Sequence, residues 1–549
     1  MKITYIELQE LPKMAWGAIV EKGTLDVVVY HGRSVETQKE FFVEGAWEGN
    51  FTEGRFDQAD FFNGSGGRMN QKTFKKSFMF VTSSHTLDRL HTIRLKNKLI
   101  VSNSMPFALH LAHTRLNPRY MDYEKDLNSI LKGLYHYKDW IPLKGNKELF
   151  LHYYCNLVID GQLSISKEKK PSMEPFESYS HYRTLLSQTL QQFVQNAKSP
   201  LRRISYGIVT TISKGYDSAA CAVLAKEVGC DTALSFDRPI TYEEDCGLDI
   251  AQQLGYSSII LKDASDYLSN EQLTETEFVS TGELGSGVVY ASFEEEMADN
   301  IVLFGEEGDE FWGKDRSDAN AEFRFPDDVM TGVSLIEHRL RVGYIFTPLP
   351  TFGGVEWKSL WKLSNSPEMQ PYSVGGSYDR PIPRRILETA GIPRESFGIE
   401  KKGVGVNYRY DSFLRLKERM SKNSFVSYQQ YYKSHRKIDK EYLQRWLRYF
   451  LDTKNVYLHV AMRKVGVESN LTMPNAESET NPGAPAFLIH WGVQEIQKRY
   501  HSAFEKKYKK RLTVLRNGNR HTEAVFSENG NQHLEKAAIE IETGRGRGR

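Results

Sequence analysis

The sequence predicts an α/β protein built on a doubly wound parallel sheet, with a β-rich segment before the sheet and helical additions after it. Three observations lead there. From Tyr179 onward the strand-like runs "YGIVTTI", "TALSF", "SSIILK" and "NIVLFG" alternate with helix-length segments such as "YRTLLSQTLQQFVQN" and "YEEDCGLDIAQQLG". Before Tyr179 the chain reads as strands and hairpins, and from about Phe413 it turns helical and rich in charge and Tyr. Alternation of strand and helix calls for right-handed crossovers and a parallel sheet, whose ligands bind in the crevice at the strands' carboxyl ends. These shifts divide the chain into residues 1–178, 179–412, 413–504 and a charged tail, 505–549, expected to be flexible.

In the first segment "KSFMFVTSS" reads as a strand, and "LHTIRL" and "KLIVSNS", separated at Lys96 and Asn97, read as a hairpin. The glycine cluster "NGSGGRM", Gly64 to Gly67, superficially resembles a phosphate loop. No strand-to-helix pattern surrounds it, so a surface turn is expected.

Composition sets bounds on function. With 549 residues, 40% of them hydrophobic, the chain is long enough for two or three domains with cores of their own. A formal net charge of +2 excludes a molecule built as a whole to bind polyanions. No apolar run reaches membrane-spanning length, and the opening "MKITYIELQELPKMAWG" carries acidic residues where a signal peptide needs an unbroken apolar stretch. A cytoplasmic protein with no membrane partner is the expectation. Cys155, Cys221, Cys230 and Cys246 form no CxxC pair and have no closely spaced His, against a structural zinc site or a disulfide framework. Cys221 is expected to be a small buried residue.

The stretch "GIVTTISKGYDSAACAVLAKEVG", Gly207 to Gly229, is strand, tight loop, helix. A helix's first turn leaves backbone N–H groups unpaired and carries partial positive charge, so a loop of small residues feeding it can wrap a pyrophosphate. Ser213 and Ser218 add hydroxyls, and Gly215 permits positive φ or a close backbone approach. Asp217 has two readings: an ordinary helix cap, or a Mg²⁺ ligand that keeps a carboxylate compatible with phosphate. A second acidic loop, "LFGEEGDEFWGKD", follows a later strand and crowds Glu306, Glu307, Asp309 and Glu310 between Gly305 and Gly313. Clustered like charges are costly unless solvated or shared with a cation. Two acidic loops at the carboxyl ends of parallel strands can each give one carboxylate to the same Mg²⁺.

These segments carry a family resemblance. "SKGYDS" resembles the SGGxDS pyrophosphate loop of the N-type ATP pyrophosphatases, and "GEEGDEFWG" resembles the GEGxDELFGG segment of the asparagine synthetase synthase domain. "RPIPRRILETAGIPRESFGIEKKGVGV" is similar to that domain's later stretch ending in RxKxGFG. The three occur in the family's order, and the similarity covers about Tyr179 to Asn407. It implies that Ser213, Lys214, Gly215, Asp217, Ser218 and Gly305 bind the nucleotide and that Asp217 and Asp309 hold Mg²⁺. It also implies that Glu306 accepts the proton of an attacking amine, and that Lys401, with Lys402 beside it, neutralises phosphate charge during adenylation.

Departures stand beside the matches. Lys214 replaces the loop's second glycine, Phe304 stands where the family has Ser, Glu307 where it has Gly, and Val404 where it has Phe. The first segment resembles a degenerate N-terminal glutaminase: Lys2 occupies the place of the nucleophilic cysteine, and the first cysteine is Cys155. Related chains without glutaminase chemistry include β-lactam synthetase and lasso-peptide cyclase. The resemblance therefore implies an ATP- and Mg²⁺-dependent, AMP-forming amide ligase that joins a small-molecule or peptide carboxylate to ammonia or an amine. Two rivals remain. A non-catalytic ATP-binding scaffold or regulator accounts for the departures, and a PP-loop enzyme modifying a tRNA base shares "SKGYDS" and gains from the basic stretches "EKKYKKRL" and "GRGRGR". Without an RNA-binding motif, nucleic acid is not the expected partner.

Overall fold

The structure, a computed structural model, describes residues 1–70, 76–238, 245–314, 331–376, 378–398, 405–464, 467, 471 and 478–518. Its central sheet is made of β1 (Gly207–Thr211), β2 (Thr232–Arg238), β3 (Ser258–Asp263), β4 (Asn300–Phe304) and β5 (Ile345–Pro348). The order across the sheet is β3-β2-β1-β4-β5, and every neighbouring pair is parallel. In β1, β4 and β5 nearly every residue is buried, which is why these strands read as unbroken apolar or β-branched runs. The chain steps outward from β1 to β3, then returns to lay β4 on the other side of β1. Such a reversal of strand order opens a crevice at the carboxyl ends of the two strands that flank it.

The four strands expected in this region are all present. The fifth, β5, carried no signal of its own: it is four residues long and ends on Pro348, tolerated because β5 is an edge strand. The helices that matter below are α1 (Tyr179–Ala197), α2 (Tyr216–Glu227), α3 (Leu248–Gln253), α4 (Ile336–Val342), α5 (Pro381–Thr389), α6 (Lys440–Lys464) and α7 (Leu488–Gly518). The segment expected as one helix from Tyr242 is helical only from Leu248; Cys246 instead bridges to Ser213, and residues 239–244 lie outside the described residues.

Ahead of this sheet two further sheets pack face to face. The seven-stranded one is antiparallel except where Ile3–Glu7 pairs with Val27–His31, and the six-stranded one is antiparallel throughout. The expected hairpin is there, Leu90–Arg94 against Lys98–Ser102. Between the sheets lie Trp16, Val29 and Val101 from one and Phe42, Phe80 and Leu157 from the other. Trp16 stacks on Phe80 at 5.8 Å and meets Phe42 edge-on at 4.9 Å.

The glycine cluster is not a surface turn. Gly64 to Gly67 lie in the strand Phe62–Asn70, buried in the six-stranded sheet. The physical reason is close approach. Gly64 and Gly45 face each other across the pair with φ of +137° and +102°, and a Cβ on Gly64 would sit 2.1 Å from the Glu44 carbonyl oxygen.

Two units are distinguished, Met1–Ala503 and Phe504–Arg549; the described part of the second, up to residue 518, is helical. Within the first unit the N-terminal sheets are fastened to the parallel sheet by Arg339 on α4. Its guanidinium donates to both carboxylate oxygens of Glu44, at 2.8 and 3.1 Å, and to Asp88, and all three side chains are buried. Burial pushes the Asp88 carboxyl up to about 6, with the guanidinium opposing the shift and Glu44 adding to it. Glu44 also accepts from Ser65, which accepts from the Trp16 indole. Among the described residues no helix is long and apolar enough to cross a membrane.

Removing the cation at this junction leaves two buried carboxylates without a counter-ion. Arg339→Met should destabilise the chain by about 3–5 kcal/mol in denaturant unfolding, and adding Glu44→Gln with Asp88→Asn should restore much of it. A loss below about 1 kcal/mol would mean that the junction is held by packing alone.

Candidate active site

β1 ends at Thr211 and α2 begins at Tyr216, so four residues make the whole turn. The turn is closed by its own hydroxyls. Ser213 N–H donates to Ser218 Oγ at 3.0 Å, the two hydroxyls lie 2.9 Å apart, and Gly215 N–H donates to Ser213 Oγ at 3.1 Å. Lys214 is tied through its backbone on both sides: its N–H donates to the Asp245 carbonyl at 3.2 Å and its carbonyl accepts from Gly398 at 2.8 Å. The turn thus accepts a side chain where the resembling family has glycine. Gly215 does not use the left-handed region: its φ is −67°, and a Cβ there would come within 3.3 Å of Ser213 Oγ.

The second acidic loop follows β4, the strand beside β1 across the reversal, in register Gly207↔Asn300 to Thr210↔Leu303. Pairing of the strands brings the loops into contact. A Cβ on Gly305 would stand 2.5 Å from the backbone nitrogen of Ser218, and one on Gly308 would stand 2.5 Å from Cγ of Asp217. Those glycines let the acidic loop lie directly on the first turn of α2. Glu307 takes φ +66°, the left-handed region, and so holds a strained backbone at the position where the family has glycine. Phe304 is absorbed by packing, against Tyr290 at 5.1 Å and Phe346 at 4.9 Å.

One guanidinium joins the two loops. Arg380, at the start of α5 and 6% exposed, places Nη1 2.5 Å from Oδ2 of Asp217 and Nη2 3.9 Å from Oδ2 of Asp309. It is positioned by aromatic stacking: its guanidinium lies over the Tyr378 ring at 4.4 Å, and that ring stacks on Tyr216 of α2 at 4.5 Å. Burial raises both phenols above their ordinary range. Behind Tyr216 lies a second guanidinium, Arg384, with no exposed surface, 5.7 Å from the Tyr216 ring and 5.1 Å from the Phe397 ring.

The structure therefore brings together Ser213, Lys214, Gly215, Asp217, Ser218, Gly305 and Asp309. Glu306 is half-buried beside them, and its charge, with that of Asp245, adds to the burial that raises the Tyr290 phenol. Lys401, Lys402 and Val404 lie outside the described residues. Arg380 was not foreseen, although it opens the segment that resembles the family's third stretch. Tyr378 and Asp245 had no signal in the sequence. All four cysteines are free thiols, and Cys221 is buried with its Sγ 3.4 Å from the Phe304 carbonyl oxygen.

Two hard carboxylate donors within reach of one cation are a donor set that suits Mg²⁺, and Arg380 shows that a single positive charge can engage both. Elsewhere Glu277, Glu294 and His338 also gather ligand atoms within 4.8 Å. There Arg341 pairs with both carboxylates and Arg499 with Glu277.

No family model matches the chain, and no curated protein matches it. Among solved structures, similarity is found to a predicted subunit of a tRNA methyltransferase from Methanocaldococcus jannaschii, at 20% identity over 35% of this chain and 92% of that one, with a TM-score of 0.17. It is also found to the glutamine-dependent NAD+ synthetase from Acinetobacter baumannii in complex with ADP, at 12% identity over 62% of this chain and 60% of that one, with a TM-score of 0.18. At such scores neither likeness carries weight for fold or function.

If Asp217 and Asp309 can share a divalent cation, Arg380 competes with it. In Arg380→Met, millimolar Mg²⁺ should raise the unfolding temperature clearly more than it does in the unaltered chain, because ligand bound only to the folded state stabilises it by mass action. No shift in either protein would show that the two carboxylates hold no common metal.

Proposed function

We propose that this chain is an ATP-dependent, AMP-forming amide ligase. The observation that carries the proposal is the convergence of two acidic loops, from the two strands at the reversal of the sheet, on one cation beside the first turn of α2. A triphosphate laid on that turn meets backbone N–H groups and the positive end of α2. Asp217 and Asp309 would hold Mg²⁺, which when bound supplies charge stabilisation to the phosphates.

The chain's own groups do the positioning. The closed Ser213–Ser218 turn fixes the pyrophosphate end, and Gly305 and Gly308 keep the second loop in van der Waals contact with it. A substrate carboxylate attacks the α-phosphorus, its oxygen forming the new bond as the bond to pyrophosphate breaks. An amine or ammonia then displaces AMP from the acyl carbon, and Glu306 takes the proton that the amine loses. Lys401 would neutralise charge on the phosphates during the first step. Such catalysis is mostly alignment and electrostatics, so it needs glycines, carboxylates and cations and no nucleophilic side chain.

One observation favours the second reading, a nucleotide-binding scaffold or regulator. Arg380 already supplies one positive charge to the pair, 2.5 Å from Asp217 and 3.9 Å from Asp309, and a site so compensated can bind nucleotide without a catalytic metal.

The fate of one oxygen atom separates the two. With substrate carrying ¹⁸O in its carboxylate, found by screening pyrophosphate release against candidate acids beginning with aspartate, label should appear in AMP in step with pyrophosphate. AMP bearing only solvent oxygen, or products ADP and phosphate, would rule out carboxylate adenylation at this site.

A further inference from the structure

α6 is fastened to the molecule by its polar side. Arg445 places its guanidinium 2.5 Å from Glu479 and 3.3 Å from Asp122, Asp452 accepts from the Glu479 N–H at 2.6 Å, and Thr453 is buried. Its apolar side faces solvent. Leu443, Leu447, Phe450, Leu451, Tyr457 and Leu458 recur turn after turn with exposures of 47–66%, a strip roughly 22 Å long at the helical rise. A surface helix of a water-soluble protein does the reverse, burying its apolar stripe. A strip of this size marks an interaction site.

The charge around the strip indicates what covers it. Lys433, Arg436 and Lys437 just before α6, and Lys440, Lys454 and Lys464 along it, are exposed, against Asp439 and Glu441; Lys440 and Lys454 stand on the strip's own face, Lys454 one turn from both Phe450 and Leu458. We propose that α6 lies in the plane of an anionic phospholipid surface, its apolar strip at the acyl boundary and its lysines, two of which rise from the strip's own face, reaching back to the headgroups. An amphipathic helix with Trp, Phe and Leu on one face and long lysine side chains rising from and beside it has the character of an interfacial helix. A second copy of the chain docking through the same face would bring Lys440 and Lys454 of the two copies together, which disfavours self-association. Because Arg445 and Asp452 already fix the inner side, the strip can be covered without unfolding α6. This mode of attachment is distinct from crossing a bilayer, for which no described helix is suited.

The test uses the full chain and sedimentation with vesicles of phosphatidylcholine, with or without roughly a third phosphatidylglycerol. Binding to the anionic vesicles should exceed binding to the neutral ones at least tenfold and weaken as salt rises. Leu447→Asp with Phe450→Asp, both outward-facing and so neutral to folding, should lower it at least tenfold with an unchanged unfolding midpoint. Lys440→Glu with Lys454→Glu should weaken it in low salt. Absence of binding to anionic vesicles would overturn the proposal. So would equal binding by the aspartate variant, which would assign the affinity to the basic C-terminal segment, or a wild-type dimer that the aspartate variant dissolves, which would assign the strip to a second copy.

Discussion

The contact between Arg380 and the carboxylates of Asp217 and Asp309 depends on nearly everything else in the central sheet. It exists because β4 returns to pair with β1, so that two turns almost ninety residues apart in sequence end side by side. It is close because Gly305 and Gly308 have no side chain to hold the second loop away from α2. Were either glycine larger, the acidic loop would have to move off Asp217, and one cation could no longer serve both groups.

Around that contact the structure carries costs that point to use. Glu307 holds a left-handed backbone conformation, and two carboxylates share one guanidinium. Arg380 sits on a column of aromatic rings that ends at Tyr216, the residue that begins α2, so the cation and the turn share one support. Farther off, Arg339 ties the paired N-terminal sheets to α4, which leads directly into β5 at the edge of the same sheet. The β-rich segment is thereby joined to the frame that sets the crevice, whatever it binds.

Most of the central sheet was legible because strands buried on both faces leave short, β-branched apolar runs bounded by turn residues, as in "GIVTTI" and "NIVLFG". The two acidic loops were legible for a different reason: carboxylates clustered at strand ends violate ordinary burial chemistry and so stand out. β5 was not, because four residues ending in proline have no period to detect. Gly64 to Gly67 misled because glycine marks both a turn and a close approach between strands, and sequence alone does not separate them. Arg380 and Tyr378 could not be found by pattern, since Asp217 and Tyr216 lie more than one hundred and sixty residues before them and only the folded chain sets them face to face. The exposed strip of α6 had its pattern in the sequence, but a helical stripe does not say which side faces the core.

The central claim is that Asp217 and Asp309 act on one cation at one nucleotide. A double-mutant cycle with Asp217→Asn, Asp309→Asn and the pair, read as Mg²⁺-dependent affinity for ATP in titration calorimetry, tests it most directly. Groups that share a ligand couple, so the double variant should lose less than the sum of the single losses by more than about 1 kcal/mol. Additivity within about 0.5 kcal/mol, or single variants that bind ATP and Mg²⁺ as the unaltered chain does, would contradict it.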